Sequence, residues 1–339
     1  MAGKQAITIG INEYKHAIPL DGCVEDAFRI SELLKHNWNG RKNMDVQLFT
    51  SEDTDKVGAR KLLVEMGKMF RNNLELAVLY FAGHGYVDEV TGESYLVTYD
   101  GGENSISWGI PVSTILKMAN DSNADSKLIV LDCCHSGSMG RISSQDAISQ
   151  LAILGSGVTI MTASKEDEVA LEYGAHGLFT SLLIDGLEGA AADIEGRVTP
   201  ASLYTHIDQA LATYEQRPLY KANVQTLVSL RRVEPRIGNE ILNNLHREYF
   251  KNGPESIYKL GPEHEPDRGE FTEKYKDIEV DYVLKEPAYR KLQACAKQWL
   301  VVPVDQPHMW HAAMHETGCR LTALGRFYWM LGEKGRLSE

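Results

Sequence analysis

The chain has 339 residues, 43% of them hydrophobic, with 47 acidic against 35 basic side chains and a formal charge of −12. That length and apolar content allow two packed cores, the acidic balance argues against a nucleic-acid partner, and no apolar stretch approaches the eighteen residues of a membrane span. Five cysteines at 23, 133, 134, 295 and 319 follow no disulfide spacing, and Met1-Ala2-Gly3-Lys4-Gln5 opens no secretory signal, so a reducing cytoplasmic setting with free thiols is expected.

Strand and helix signals alternate through the first 232 residues, which predicts an α/β domain on a largely parallel sheet of about six strands. Ala6–Gly10 reads as the first strand, a helix follows over about Val24–Leu34, and Val46–Phe49 reads as a strand. Ser51-Glu52-Asp53-Thr54 is placed to cap a helix running to about Phe70. Two apolar runs, Leu76–Phe81 and Leu128–Leu131, read as buried strands, and Gly157–Ala163 as another. A helix is expected over about Leu178–Leu187, Thr199-Pro200 opens the next, and Val228-Ser229-Leu230 is the candidate sixth strand.

The pattern changes after residue 234. Residues 1–234 hold 31 acidic and 20 basic side chains, residues 235–339 hold 16 and 15, so nearly all the excess charge lies in the first part and would steer basic ligands toward it. Gly253-Pro254, Gly261-Pro262 and Glu263–Gly269 predict a polar connector over 235–270. Residues 271–339 predict a smaller, mainly helical accessory or regulatory domain, with helical signals over Tyr282–Leu300 and Gln306–Gly332. His308, His311, His315 and Cys319 fall on one helical face within about 80°. Positions 308 and 319 lie about 16 Å apart along a helix, so this is read as a packing face and no metal site is assigned.

The chemistry is concentrated in two motifs, Tyr80-Phe81-Ala82-Gly83-His84-Gly85 and Leu131-Asp132-Cys133-Cys134-His135-Ser136-Gly137. Each ends an apolar strand signal, and parallel sheets present their reactive groups at the carboxyl ends of the strands, so adjacent strands would bring His84 and Cys134 together. A thiol is a strong nucleophile once ionised, and an imidazole is the usual means of ionising it. Alternation along the strand puts Leu131 and Cys133 on one face, Asp132 and Cys134 on the other. Cys133 then reads as a small buried hydrophobe.

These motifs, fifty residues apart, resemble the caspase-like cysteine peptidases, the metacaspase and bacterial branch more than the animal caspases. The resemblance extends over about residues 5–232, including Gly177-Leu178-Phe179-Thr180 and Gln216-Arg217-Pro218-Leu219. It implies Cys134 as nucleophile, His84 as its base in a dyad needing no third carboxylate, and the N–H groups of Gly85 and Cys134 as the oxyanion hole. The Gly22-Cys23-x-x-Asp26-Ala27 spacing is similar to the metacaspase segment lining the primary specificity (S1) pocket, which implies Cys23 and Asp26 there beside Asp132. Two carboxylates in a partly desolvated pocket call for a cation, and the paired donors of Arg suit them better than Lys. Ala82 stands where metacaspases commonly have Ser. The resemblance also divides the domain into a large-subunit part, about 1–137, a linker, about 138–156, and a small-subunit part, about 157–234. Arg141 is the linker's one basic residue and its candidate activation-cleavage site.

The implied function is a regulated signalling or stress and defence endopeptidase that cuts protein substrates after Arg or Lys. Its expected partners are proteins with basic cleavage sites and an activating protease or regulator, with no nucleic acid and no membrane. No cofactor is assigned. Calcium, which many metacaspases use, is the one left open, with Asp88, Glu89, Glu93 and Asp100 as nearby acids in one loop region. The alternative is a catalytically silent scaffold of the same fold that acts by binding protein.

Overall fold

A computed structural model describes residues 3–53, 57–88, 90–102, 108–134, 154–163, 172–173, 176–211, 218–226 and 228–337. The chain divides into two compact units, Met1–Glu234 and Pro235–Glu339. In chain order unit 1 runs β1 (Gly3–Gly10), α1 (Cys23–Lys35), β2 (Asp45–Thr50), α2 (Ala59–Arg71), β3 (Leu74–Val87), β4 (Ser94–Val97), β5 (Gly109–Pro111), α3 (Val112–Asn120), β6 (Ser126–Cys134) and β7 (Val158–Thr162). It continues through the short pair β8 (Glu172–Tyr173) and β9 (His176–Gly177), then α4 (Leu178–Asp185), β10 (Arg197–Val198), α5 (Pro200–Leu211), β11 (Leu219–Asn223) and β12 (Arg231–Arg232).

The main sheet has the order β11-β7-β6-β3-β1-β2, with β4 and β5 extending it beyond β3. Its five neighbours from β2 to β7 are parallel, β11 runs antiparallel against β7, and β4 runs antiparallel against the end of β3. The α/β class and the sheet of about six strands expected from sequence are those observed. Strand alternation divides the core into two apolar layers. Val78, Tyr80, Leu128 and Val130 face α1, α4 and α5, packing with Ile30, Phe179, Leu183 and Ile207. Leu79, Phe81, Ile129 and Leu131 face α2 and α3, packing with Leu62, Met66, Phe70 and Ile115. Burying each such side chain contributes roughly 1.5–3 kcal/mol.

Three local expectations are corrected. The sixth strand is Leu219–Asn223; Val228–Leu230 lies outside it, ahead of the β10–β12 ladder. Helix α2 begins at Ala59, because Ser51 Oγ accepts the N–H groups of Asn12 and Glu13 while the Ala59 N–H is held by Asp100 Oδ1 at 3.0 Å. Residues 235–270 are part of unit 2 rather than a connector, since they supply α6 (Asn239–Asn244) and the strand β13 (Ile257–Tyr258).

Unit 2 continues with α7 (Lys285–Lys297), β14 (Val301–Pro303), α8 (Met309–Met314), β15 (Cys319–Leu321) and α9 (Ala323–Glu333), and its strands form an antiparallel sheet in the order β13-β15-β14. The expected continuous helical face is therefore corrected as well. Glu316 at φ 56° and Gly318 at φ 120° turn the chain out of α8, and Cys319 lies buried on β15, away from the helix that carries His311. Among the described residues no helix is long and apolar enough to cross a membrane.

One anchor closes the amino end of β7. Buried Lys127 on β6 donates to the carbonyls of Ala124 and Ser156 at 3.1 and 2.8 Å, Gly157 N–H donates to the Asn223 carbonyl at 2.6 Å, and Asn223 Nδ2 donates to the Leu154 carbonyl at 2.8 Å.

Candidate active site

The sheet reverses its winding between β1 and β3: β2 lies to one side of β1, and β6 and β7 follow β3 on the other. Open α/β sheets bind ligands in the crevice at the carboxyl ends of the strands at such a point. His84 lies near the end of β3 there, and the parallel register pairs it with Cys134, the last residue of β6. Cys133 pairs with Gly83 and packs with the apolar layer under α2 and α3.

The loop after β1 holds His84 from three directions. The His84 N–H donates to the Tyr14 hydroxyl at 2.8 Å, and that hydroxyl donates in turn to the Ile11 carbonyl at 2.9 Å. The Tyr14 and His84 rings lie with centroids 4.7 Å apart. Nε2 of His84 is 2.8 Å from the Ile18 carbonyl. A carbonyl can only accept, so Nε2 carries the proton and Nδ1 of the neutral ring is the acceptor. Gly83 makes this possible, since a Cβ there would lie 2.8 Å from the Tyr14 hydroxyl. Tyr14 and Ile18 have no counterpart in the sequence reading; a backbone carbonyl leaves no residue-type signal, and the Tyr14 hydroxyl meets the His84 N–H from seventy positions away in sequence.

Gly85 follows on β3. Its partner across the β3–β4 ladder is Leu96, and the Asp88 N–H donates to the Glu93 carbonyl at 2.9 Å at the end of the same ladder. Bonded and unbonded pairs alternate in an antiparallel ladder, so Gly85 faces Leu96 in an unbonded pair and its N–H is directed away from β4.

The acidic residues gather on the α1 and α4 face of the sheet. Cys23 and Asp26 lie in the first turn of α1, both buried. This turn approaches β1 closely because Gly10 has no side chain; a Cβ there would stand 2.3 Å from the Cys23 carbonyl oxygen. Asp132, also buried, sits at the amino end of α4, a position the helix dipole favours for a carboxylate. Its Oδ2 accepts the Thr180 hydroxyl at 2.6 Å, and Tyr80 OH meets the same Thr180 oxygen at 2.7 Å. Burial, then the charges of Asp132 and Asp26, push the Tyr80 phenol well above its usual range. Asp132, Asp26 and Cys23 thus all act electrostatically on the buried Tyr80 phenol.

Three of the acids considered for calcium accept hydrogen bonds within the protein. Asp88 Oδ1 accepts the N–H groups of Val90 and Thr91, which holds its carboxyl below the usual range. Glu93 accepts from Ser113, and Asp100 from Ala59 and Thr98. Among the described residues no three His, Cys, Asp or Glu side chains are placed to hold a metal ion. Glu89, Arg141 and most of the expected linker lie outside the described residues.

Residues 4–228 match the family model for the caspase domain. A search of curated proteins finds no match. Among solved structures, a Geobacter sulfurreducens protein aligns at 15% identity with a TM-score of 0.51, covering 68% of this chain and 100% of its own, a likeness of fold. Caspase-1 from Spodoptera frugiperda aligns at 13% identity and TM-score 0.49, covering 69% of this chain and 91% of its own. With the family model spanning most of its length, the chain belongs to the caspase-domain family.

Proposed function

We propose that this protein is a cysteine endopeptidase that cuts protein substrates after Arg or Lys, with Cys134 as nucleophile and His84 as general base. The observation that carries this reading is the register of β3 and β6, which pairs His84 with Cys134 at the carboxyl ends of two central strands. With its Nε2 proton committed to the Ile18 carbonyl, His84 takes the thiol proton on Nδ1. The thiolate attacks the scissile carbonyl, and the oxyanion is met by the N–H groups of Gly85 and Cys134. Collapse expels the amine, which receives its proton from His84, and water admitted through the same base hydrolyses the thioester.

Asp132 and Asp26 support the basic specificity, because a guanidinium between two buried carboxylates offsets charges that would otherwise be costly to keep in that space. In this reading activity is released by cleavage, with Arg141 as the candidate cut, or by a partner protein.

The test uses purified wild type and Cys134→Ala against fluorogenic peptides ending in Arg, Lys or Asp, with and without calcium. Cleavage after Arg and Lys that falls by at least about 10³-fold in Cys134→Ala is the expected result. Cleavage confined to Asp peptides, or activity surviving in Cys134→Ala, overturns it.

A further inference from the structure

Resting on the reading of Asp132 as a substrate-binding carboxylate, we propose that Tyr80 and Thr180 are positioning residues, a buried hydroxyl relay that holds Asp132 in its cation-binding orientation. Selectivity for a basic side chain is then set in part from α4, in the second half of the domain.

The donors can be assigned without ambiguity. Thr180 has one hydroxyl proton, and it goes to the Asp132 carboxylate at 2.6 Å. The Thr180 oxygen can therefore only accept from Tyr80 OH at 2.7 Å, and the chain runs in one direction, Tyr80 to Thr180 to Asp132. All three side chains are enclosed, Thr180 at 0%, Tyr80 at 1% and Asp132 at 7% exposure. Water is thus poorly placed to substitute for either hydroxyl. The Tyr80 phenol, pushed upward by its surroundings, keeps its proton at any working pH and so stays a donor.

The relay also explains two otherwise unconnected residue choices. Val or Phe would fill the space of Thr180 or Tyr80, yet hydroxyls stand at both places, Tyr80 bonding Thr180 and Thr180 bonding the Asp132 carboxylate. One Asp132 oxygen accepts from Thr180, which fixes the carboxyl plane. Thr180 comes 48 positions after Asp132, so the pocket is complete only when α4 is docked against β6.

The experiment compares wild type with Thr180→Val, Thr180→Ser and Tyr80→Phe, each checked for a native thermal transition. With Arg and Lys peptides, Thr180→Val should raise KM about tenfold and leave kcat within about twofold, Thr180→Ser should restore KM, and Tyr80→Phe should fall between. Equal losses in kcat for all three variants, or unchanged KM in Thr180→Val, overturn the relay.

A second arm needs no activity. The Asp132 carboxyl is titrated by 13C NMR, assigned through Asp132→Asn, and agmatine serves as a guanidinium probe by calorimetry. Thr180→Val should raise the Asp132 pKa and Thr180→Ser should not; no change overturns the relay even in an inactive protein. If wild type cleaves no basic peptide and binds no agmatine while the titration shifts as stated, the functional reading fails and the relay stands.

Discussion

Both units carry buried histidines, thiols and tyrosines, but they use them differently. In unit 1 the polar groups sit at the carboxyl ends of parallel strands and point their bonding toward one place: Tyr14 and Ile18 hold His84, and Tyr80 and Thr180 hold Asp132. In unit 2 they close on the surrounding backbone. His264 Nδ1 accepts the Gly261 N–H at 3.0 Å, Arg268 donates to the carbonyls of Pro262 and Tyr275, Tyr275 OH donates to the Met314 carbonyl, and Cys295 and Cys319 are fully enclosed. Under the proposed function the same residue types serve chemistry in one unit and packing in the other. What separates them is placement at an open end of the sheet.

The largest test of that contrast is thiol reactivity. Burial pushes the Cys295 thiol up to about 12 and raises Cys319 as well, so neither forms appreciable thiolate near neutrality. Iodoacetamide at about pH 7.5 should modify Cys134 at least about 10³-fold faster than Cys295 or Cys319 in the folded protein, read by peptide mass mapping. Labelling of Cys295 or Cys319 ahead of Cys134 would break the comparison.

A smaller effect probes the histidine side. Tyr14→Phe keeps the ring beside His84 but removes the hydroxyl that its N–H uses, and should lower kcat about tenfold with KM little changed. An unchanged kcat would mean that Ile18 alone orients the ring.

The smallest is a pH effect confined to unit 2. Burial, the dominant influence, lowers the His264 pKa below its ordinary 6.5. The unfolded chain then binds the proton more readily, so this stabilisation is complete above about pH 6.5 and is lost as pH falls toward the folded value. The unit 2 melting transition should drop between pH 7.5 and 5.5 in wild type and flatten in His264→Asn; identical slopes would remove His264 from the account.

The central strands were legible because Leu76–Phe81 and Leu128–Leu131 are continuous apolar runs, the mark of strands buried on both faces. His84 and Cys134 were legible because each ends such a run with glycine beside it or close behind. Strand β11 was not, since Leu219–Asn223 is a half-exposed edge without an apolar run. Nor was the start of α2, whose cap is Asp100, forty-one positions distant. The helical reading of 306–332 failed because a 3.6-residue period continues on paper through Glu316 and Gly318, where the backbone turns left-handed. Thr180 lay within a stretch noted only for its resemblance; its bond to Asp132 crosses from one half of the domain to the other and has no local pattern.

The anchor at the amino end of β7 has a topological consequence. Cys134 ends β6 at one end of the sheet, while Lys127, Asn223 and the β6–β7 ladder fasten Leu154–Gly157 at the other. Neither fastening depends on covalent continuity between residues 134 and 154. Severing the backbone there leaves a strand interface, an anchored turn and the Thr180–Asp132 bond intact, so the two pieces remain one folded body with two new chain ends.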